Sequence, residues 1–131
     1  MLSGDDIKGA LNVGPVGVTV NCENSQFIHY KSGIFNCPNS ECSAAYSDLN
    51  HTVLLVGYGN EDGTDYFISK NEWGTSWGEE GYMKIANIGS GYGIVGVNNE
   101  PVIATSNYNS AEGLLKFAVA TMSTLAIVLT F

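Results

Sequence analysis

The segment from Leu49 to Ile85 constrains the chain most. It opens with Leu49-Asn50-His51, continues as the apolar run Thr52-Val53-Leu54-Leu55-Val56, and closes in Gly57-Tyr58-Gly59. A polar turn from Asn60 to Thr64 leads into Asp65-Tyr66-Phe67-Ile68-Ser69-Lys70. Then come Asn71-Glu72-Trp73-Gly74-Thr75-Ser76-Trp77-Gly78-Glu79-Glu80-Gly81 and Tyr82-Met83-Lys84-Ile85. Short runs rich in β-branched and aromatic residues, punctuated by Gly and Asn, predict strands. His51 stands at the mouth of the first strand and Asn71 at the end of the second, so a tight connection brings the two side chains together. An Asn carbonyl accepts an imidazole N–H, fixes the ring's tautomer and leaves the other nitrogen for proton transfer. This is the orienting half of a catalytic triad, without its nucleophile.

The same segment resembles the papain-like cysteine peptidases. Their His motif, a polar residue, His, a small residue and an apolar run closing in Val-Gly-Tyr-Gly, stands here as Asn50 to Gly59. Their Asn motif, Lys-Asn-Ser-Trp-Gly-x-x-Trp-Gly-x-x-Gly-Tyr, stands as Lys70 to Tyr82, with Glu72 in place of the Ser. Gly14-Pro15-Val16 upstream and Gly91-Tyr92-Gly93-Ile94-Val95-Gly96 downstream keep the family's order, and the likeness covers roughly Asp5 to Ala104. The family has two lobes. The resemblance implies that this chain is the second, right-hand lobe, part of an α+β fold, with the first lobe missing.

At 131 residues the chain has one domain's worth of sequence and enough to bury a core. Its net charge of −8, with no Arg, argues against a nucleic-acid partner, which needs a basic face. Cys22, Cys37 and Cys42 lack the paired short spacings of a zinc site, and no cofactor or metal is expected. Met1 to Asp6 has no apolar core and is not a secretion signal; any signal would lie upstream with the first lobe. A solvated acidic surface suits a lysosomal or extracellular protein.

Along the chain, Asp5–Val13 reads as a short helix capped by Ser3 or Asp5, with Ile7, Ala10 and Leu11 on one face and Gly14-Pro15 as its stop. Val16–Val20 alternates as a strand. Ser25–Tyr30 makes one helical turn that packs Phe27 and Tyr30. Ile34-Phe35 begins a short extended piece, and Thr52–Gly57, Tyr66–Lys70, Tyr82–Asn87 and Ile94–Val97 are expected strands. The fold class is mainly β, an antiparallel barrel-like sheet with a short N-terminal helix.

The lobe is expected to span 1–104, followed by a polar linker at 105–113 and an apolar tail at 114–131. The last fifteen residues carry no charge, which is short for a membrane span. Small residues, a polar spacer and an apolar end match a GPI-anchor signal, with Ser106, Asn107, Asn109 and Ser110 as attachment candidates. A tail anchor and an unselected extension are the alternatives, so membrane association through 114–131 stays open.

The resemblance implies roles residue by residue. His51 is the general base and acid, Asn71 orients it, and Trp73 covers their hydrogen bond. Thr19, Leu49 and Thr52 wall the main specificity pocket, with Asn50 beside them as substrate-binding and Glu100 at the floor, where a carboxylate admits a basic side chain. The family's nucleophile opens a long helix more than a hundred residues before the His, whereas only fifty residues precede His51. Cys22 follows a strand, and Cys37 and Cys42 lie in a polar loop, so none of the three is the nucleophile. Gln26 does not match the oxyanion-hole Gln. The family's bridge to the position of Val95 is lost, and Cys37 and Cys42 are close enough to pair with each other. Glu72 either raises the imidazole's pKa or points outward. His29 and Trp77 read as a surface or packing residue and as core. The expected function is the C-terminal lobe of a cysteine endopeptidase acting on peptides through a Cys-His-Asn triad. The competing reading is a non-catalytic pseudo-peptidase or peptide-binding domain, with or without a membrane tether.

Overall fold

The computed structural model describes residues 1–109 and 114–121, with backbone alone from residue 105 on. Among those residues the chain forms one seven-stranded sheet curled into a half-barrel, with two short helices.

Helix α1 (Gly4–Leu11) starts at a capping box. Ser3 Oγ accepts the Asp6 N–H, and the Asp6 carboxylate accepts the Ser3 N–H. Ile7 and Ala10 are buried on its inner face. The strands are β1 (Val16–Val20), β2 (Ile34–Phe35), β3 (His51–Glu61), β4 (Thr64–Lys70), β5 (Tyr82–Ala86), β6 (Val102–Asn109) and β7 (Leu114–Thr121). They lie in the order β2-β5-β4-β3-β1-β6-β7, antiparallel except for β2 beside β5. One turn of helix, α2 (Ser25–Ile28), is capped by Asn24 Oδ1, which accepts the Phe27 N–H at 2.7 Å.

Strand alternation sets the core. Val16, Val18 and Val20 on β1, Val53 and Leu55 on β3, and Phe67 on β4 all turn inward, where Phe27 and Ile7 meet them. The ladder pairs Val20 with His51 and Thr19 with Thr52, so His51 sits at the end of β1. On its other side β3 joins β4 through Asp62-Gly63, both at positive φ, a two-residue turn whose twist matches that of the strands. The last pair of that ladder, Leu54 with Lys70, delivers Asn71 to the same end of the sheet as His51.

The expected strand at Ile94–Val97 is instead a 3-10 turn over Ile94–Gly96, with Val95 at φ 50°. Four glycines between Gly89 and Gly96 take positive φ and fold this stretch into successive turns; Ile94 and Val95 are buried in it without pairing. At Gly96 (φ 88°) a Cβ would lie 2.3 Å from Leu49 Cδ2, so only glycine lets that leucine pack. Strand β6 runs on to Asn109 and β7 returns along it, from Asn109 opposite Leu114 to Val102 opposite Thr121. The attachment candidate Ser110 and the tail from 122 to 131 lie outside the described residues. Among the described residues no helix is long and apolar enough to cross a membrane.

Candidate active site

Asn71 is buried at the end of β4, held by its backbone N–H donating to Gly81 O at 3.0 Å. Its side-chain Oδ1 lies 2.8 Å from His51 Nε2 and also accepts the Glu72 backbone N–H at 2.9 Å. That second bond settles the orientation. A backbone N–H only donates, so the amide atom it meets must be the carbonyl oxygen. His51 must then donate through Nε2–H, which leaves Nδ1 with the lone pair. Nδ1 makes no hydrogen bond among the described residues. The local sequence thus holds one tautomer of one histidine, with its basic nitrogen open for chemistry.

Aromatic rings hold the imidazole in place. Trp73 lies over His51 with ring centroids 5.0 Å apart and planes 31° apart. Phe27, fully buried, meets both His51 (6.4 Å) and Trp73 (5.8 Å) with its ring plane nearly perpendicular to theirs and packs on Trp77 at 5.7 Å. Trp77 is itself buried and donates Nε1–H to Ile28 O at 2.9 Å, which ties α2 to the loop after β4. The glycine after it is required: at Gly78 (φ 58°) a Cβ would come within 2.5 Å of Tyr82 O. Phe27 is the supporting residue the sequence did not single out for this role. Its local signal, an Asn cap three residues before an aromatic, marks a buried ring but not which ring it meets.

An open groove of about 420 Å³ is lined by residues of β1, β3 and β6. Thr19, Thr52 and Glu100 all line it, with Pro15, Leu54 and Val102. Three of the expected specificity residues, distant in sequence, therefore share one cavity. Leu49 packs against Gly96, and Asn50 is exposed with Oδ1 accepting the Cys22 N–H at 3.1 Å. Glu72 is exposed, and so is His29. Gln26 donates to Glu41 Oε2 at 3.0 Å.

The cysteines fall into two kinds. Cys37 and Cys42 form a disulfide that closes the loop before β3. Cys22 is a free, half-buried thiol, and burial first, then the nearby Glu23 charge, push its pKa up. An attacking thiol needs the opposite shift.

The papain family cysteine protease profile matches residues 3–105 of this chain. Digestive cysteine proteinase 2 of Homarus americanus is 42% identical over 93 residues, which is 70% of this chain and 28% of that one. Cathepsin S of Bos taurus is 42% identical over 97 residues, covering 73% and 28%. Among solved structures, the bromelain protease of Ananas comosus in complex with the E64 inhibitor superposes with a TM-score of 0.63 at 40% identity, over 72% of this chain and 41% of that one. The chain spans under a third of the length of these curated relatives.

Proposed function

Since this chain belongs to the papain family of cysteine proteases, we propose that it supplies the His- and Asn-bearing lobe of a peptide-hydrolysing enzyme whose thiolate comes from a separate, Cys-bearing lobe. The observation that carries this reading is the 2.8 Å bond from His51 Nε2–H to Asn71 Oδ1, which leaves Nδ1 as the one basic nitrogen. In the reaction, His51 Nδ1 takes the proton of the cysteine thiol, giving a thiolate and an imidazolium. The thiolate attacks the substrate carbonyl carbon, and the tetrahedral species collapses as His51 returns that proton to the leaving amine. Water then attacks the thioester, again losing a proton to Nδ1, and the thiol is restored as the acid product leaves. Asn71 accepts the same Nε2–H throughout, so the ring turns neither away nor over. Trp73 and Phe27 keep water from that bond, which strengthens it in the lower local dielectric.

The groove holding Thr19, Thr52 and Glu100 takes the substrate side chain two residues before the scissile bond, with Glu100 admitting a basic group. The disulfide supports an oxidising compartment, either lysosomal or extracellular.

The test combines separately produced lobes. The purified 131-residue chain should hydrolyse no dipeptidyl amide. Adding a family Cys-bearing lobe should give turnover that thiol alkylation blocks and that His51→Ala abolishes. Alkylation-sensitive turnover by the chain alone would overturn the proposal, and peptide binding without turnover after mixing would favour the non-catalytic domain.

A further inference from the structure

We propose that Asn50 is an N-glycan acceptor, and that a glycan on it closes the cleft at His51. Asn50-His51-Thr52 is the one place in the sequence where Asn is followed, after one non-proline residue, by Ser or Thr. The motif alone is weak, and its setting gives it force. Asn50 is exposed and sits between the 3-10 turn Tyr46–Asp48 and the first residue of β3, at the rim of the sheet rather than inside a strand. Its backbone N–H donates to Val20 O at 3.1 Å, and its side-chain Oδ1 accepts the Cys22 N–H at 3.1 Å. Nδ2 makes no hydrogen bond among the described residues.

That division of labour fits the chemistry. In the transfer, Nδ2 bonds to the anomeric carbon of a polyprenyl-diphosphate-linked oligosaccharide. Nδ2 loses one proton, and the polyprenyl diphosphate departs with the bonding pair. The carbonyl oxygen is untouched and remains an acceptor, so the bond from Cys22 survives modification. The folded chain loses no internal hydrogen bond by carrying the sugar. The disulfide between Cys37 and Cys42 belongs to the same oxidising compartment in which such glycans are attached.

The consequence follows from position. A glycan is bulky and hydrated. On Asn50 it is attached one residue from His51, and two residues from Thr52, which lines the specificity groove. Occupancy and substrate access therefore exclude each other, so a chain carrying the glycan is masked and a chain without it is open. This consequence rests on the cleft reading above; the acceptor assignment does not.

The full chain, secreted from a eukaryotic host behind a cleavable leader, tests both parts. Treatment with peptide-N-glycosidase should give a single downward shift in mobility and convert Asn50 to Asp in the corresponding peptide. Asn50→Gln and Thr52→Ala should each lose the shift, and Thr52→Ser should keep it, since the acceptor needs only a hydroxyl at that position. Diethyl pyrocarbonate should modify His51 several-fold more slowly in the glycosylated chain than after enzymatic removal of the sugar. A secreted, disulfide-bonded chain with no glycan on Asn50 overturns the acceptor assignment. A glycosylated chain with unchanged His51 reactivity overturns the masking. Neither readout uses peptide hydrolysis, so both outcomes are independent of whether the triad reading holds.

Discussion

The two rims of the candidate site are built by different physics. On one, His51 and Asn71 are backed by Phe27, Trp73 and Trp77, whose rings meet edge-on or tilted within 5.8 Å of one another. On the other, Thr19, Thr52 and Glu100 line an open groove, and Thr52 and Glu100 are exposed. The first rim grows out of the core through the buried Phe27, Trp77 and Asn71, with Trp73 as its exposed member, so its geometry is enforced by packing and changes in buried volume are felt. The second is a surface on a rigid strand pair, where a side chain changes without disturbing what lies beneath it. On the function proposed above, chemistry falls where the fold is stiff, and selectivity where the fold tolerates substitution.

The sharpest way to break this contrast is at Phe27, which has no exposed surface and touches every ring of the stiff rim. Phe27→Ala should cost about 3–5 kcal/mol, from lost burial plus the cavity left behind. Thr19→Ala, on the tolerant rim, should stay within about 0.5 kcal/mol. Urea unfolding of the two variants gives the comparison. Equal losses would mean that the rims do not differ in the way described.

Much of the stiff rim was legible in the sequence because its partners are close along the chain. His51 and Asn71 belong to one hairpin, whose turn sets the register out to Gly57, and a bulge between Leu55 and Gly57 shifts it by one residue beyond. The same locality predicted β1, β3, β4 and the turn at Ser25 to within a few residues. Phe27 escaped as a site residue because its contact with His51 is closed by tertiary packing, which no local spacing encodes. The strand expected at Ile94–Val97 failed for the opposite reason. A β-branched pair reads as a strand, but the flanking glycines at positive φ bend the backbone out of any ladder. On the tolerant rim, resemblance to the family supplied Thr19, Thr52 and Glu100. Strand alternation alone would place the two threonines on one face but would not bring Glu100 to them.

A smaller effect sharpens the contrast from the groove side. In an enzyme completed with its Cys-bearing lobe, Glu100→Ala should lower kcat/KM for a substrate with Arg in the pocket by about tenfold, or ~1.4 kcal/mol. A fully buried ion pair would be worth more, but this carboxylate is exposed in the lobe and water screens it. Phe or Leu substrates should change little, and the melting temperature should not move. Equal losses on both substrate types would make Glu100 structural, and no loss on either would place it outside the pocket.

The smallest expected effect lies away from both rims, where α1 is clipped to β4 by Lys8 and Asp65. The hydrogen bond from Lys8, helped by one from Asn60, holds the Asp65 carboxyl below its ordinary value. The folded pKa is therefore lower than the unfolded one. A group of this kind contributes stability that is present above the unfolded pKa and is lost as pH falls through the depressed folded value. Asp65→Asn should accordingly melt slightly below the parent chain at neutral pH, and the two curves should converge in strong acid, where the parent's carboxyl is protonated. The difference will be small because a pair only partly buried at the surface is screened by water and salt, and raising the salt should shrink it further. Phe27→Ala offers the control, since its deficit comes from lost packing rather than from a carboxylate ion pair and should persist across the same acid range. If the Asp65→Asn deficit also persists there, the clip acts through packing rather than charge, and α1 belongs with the stiff rim after all.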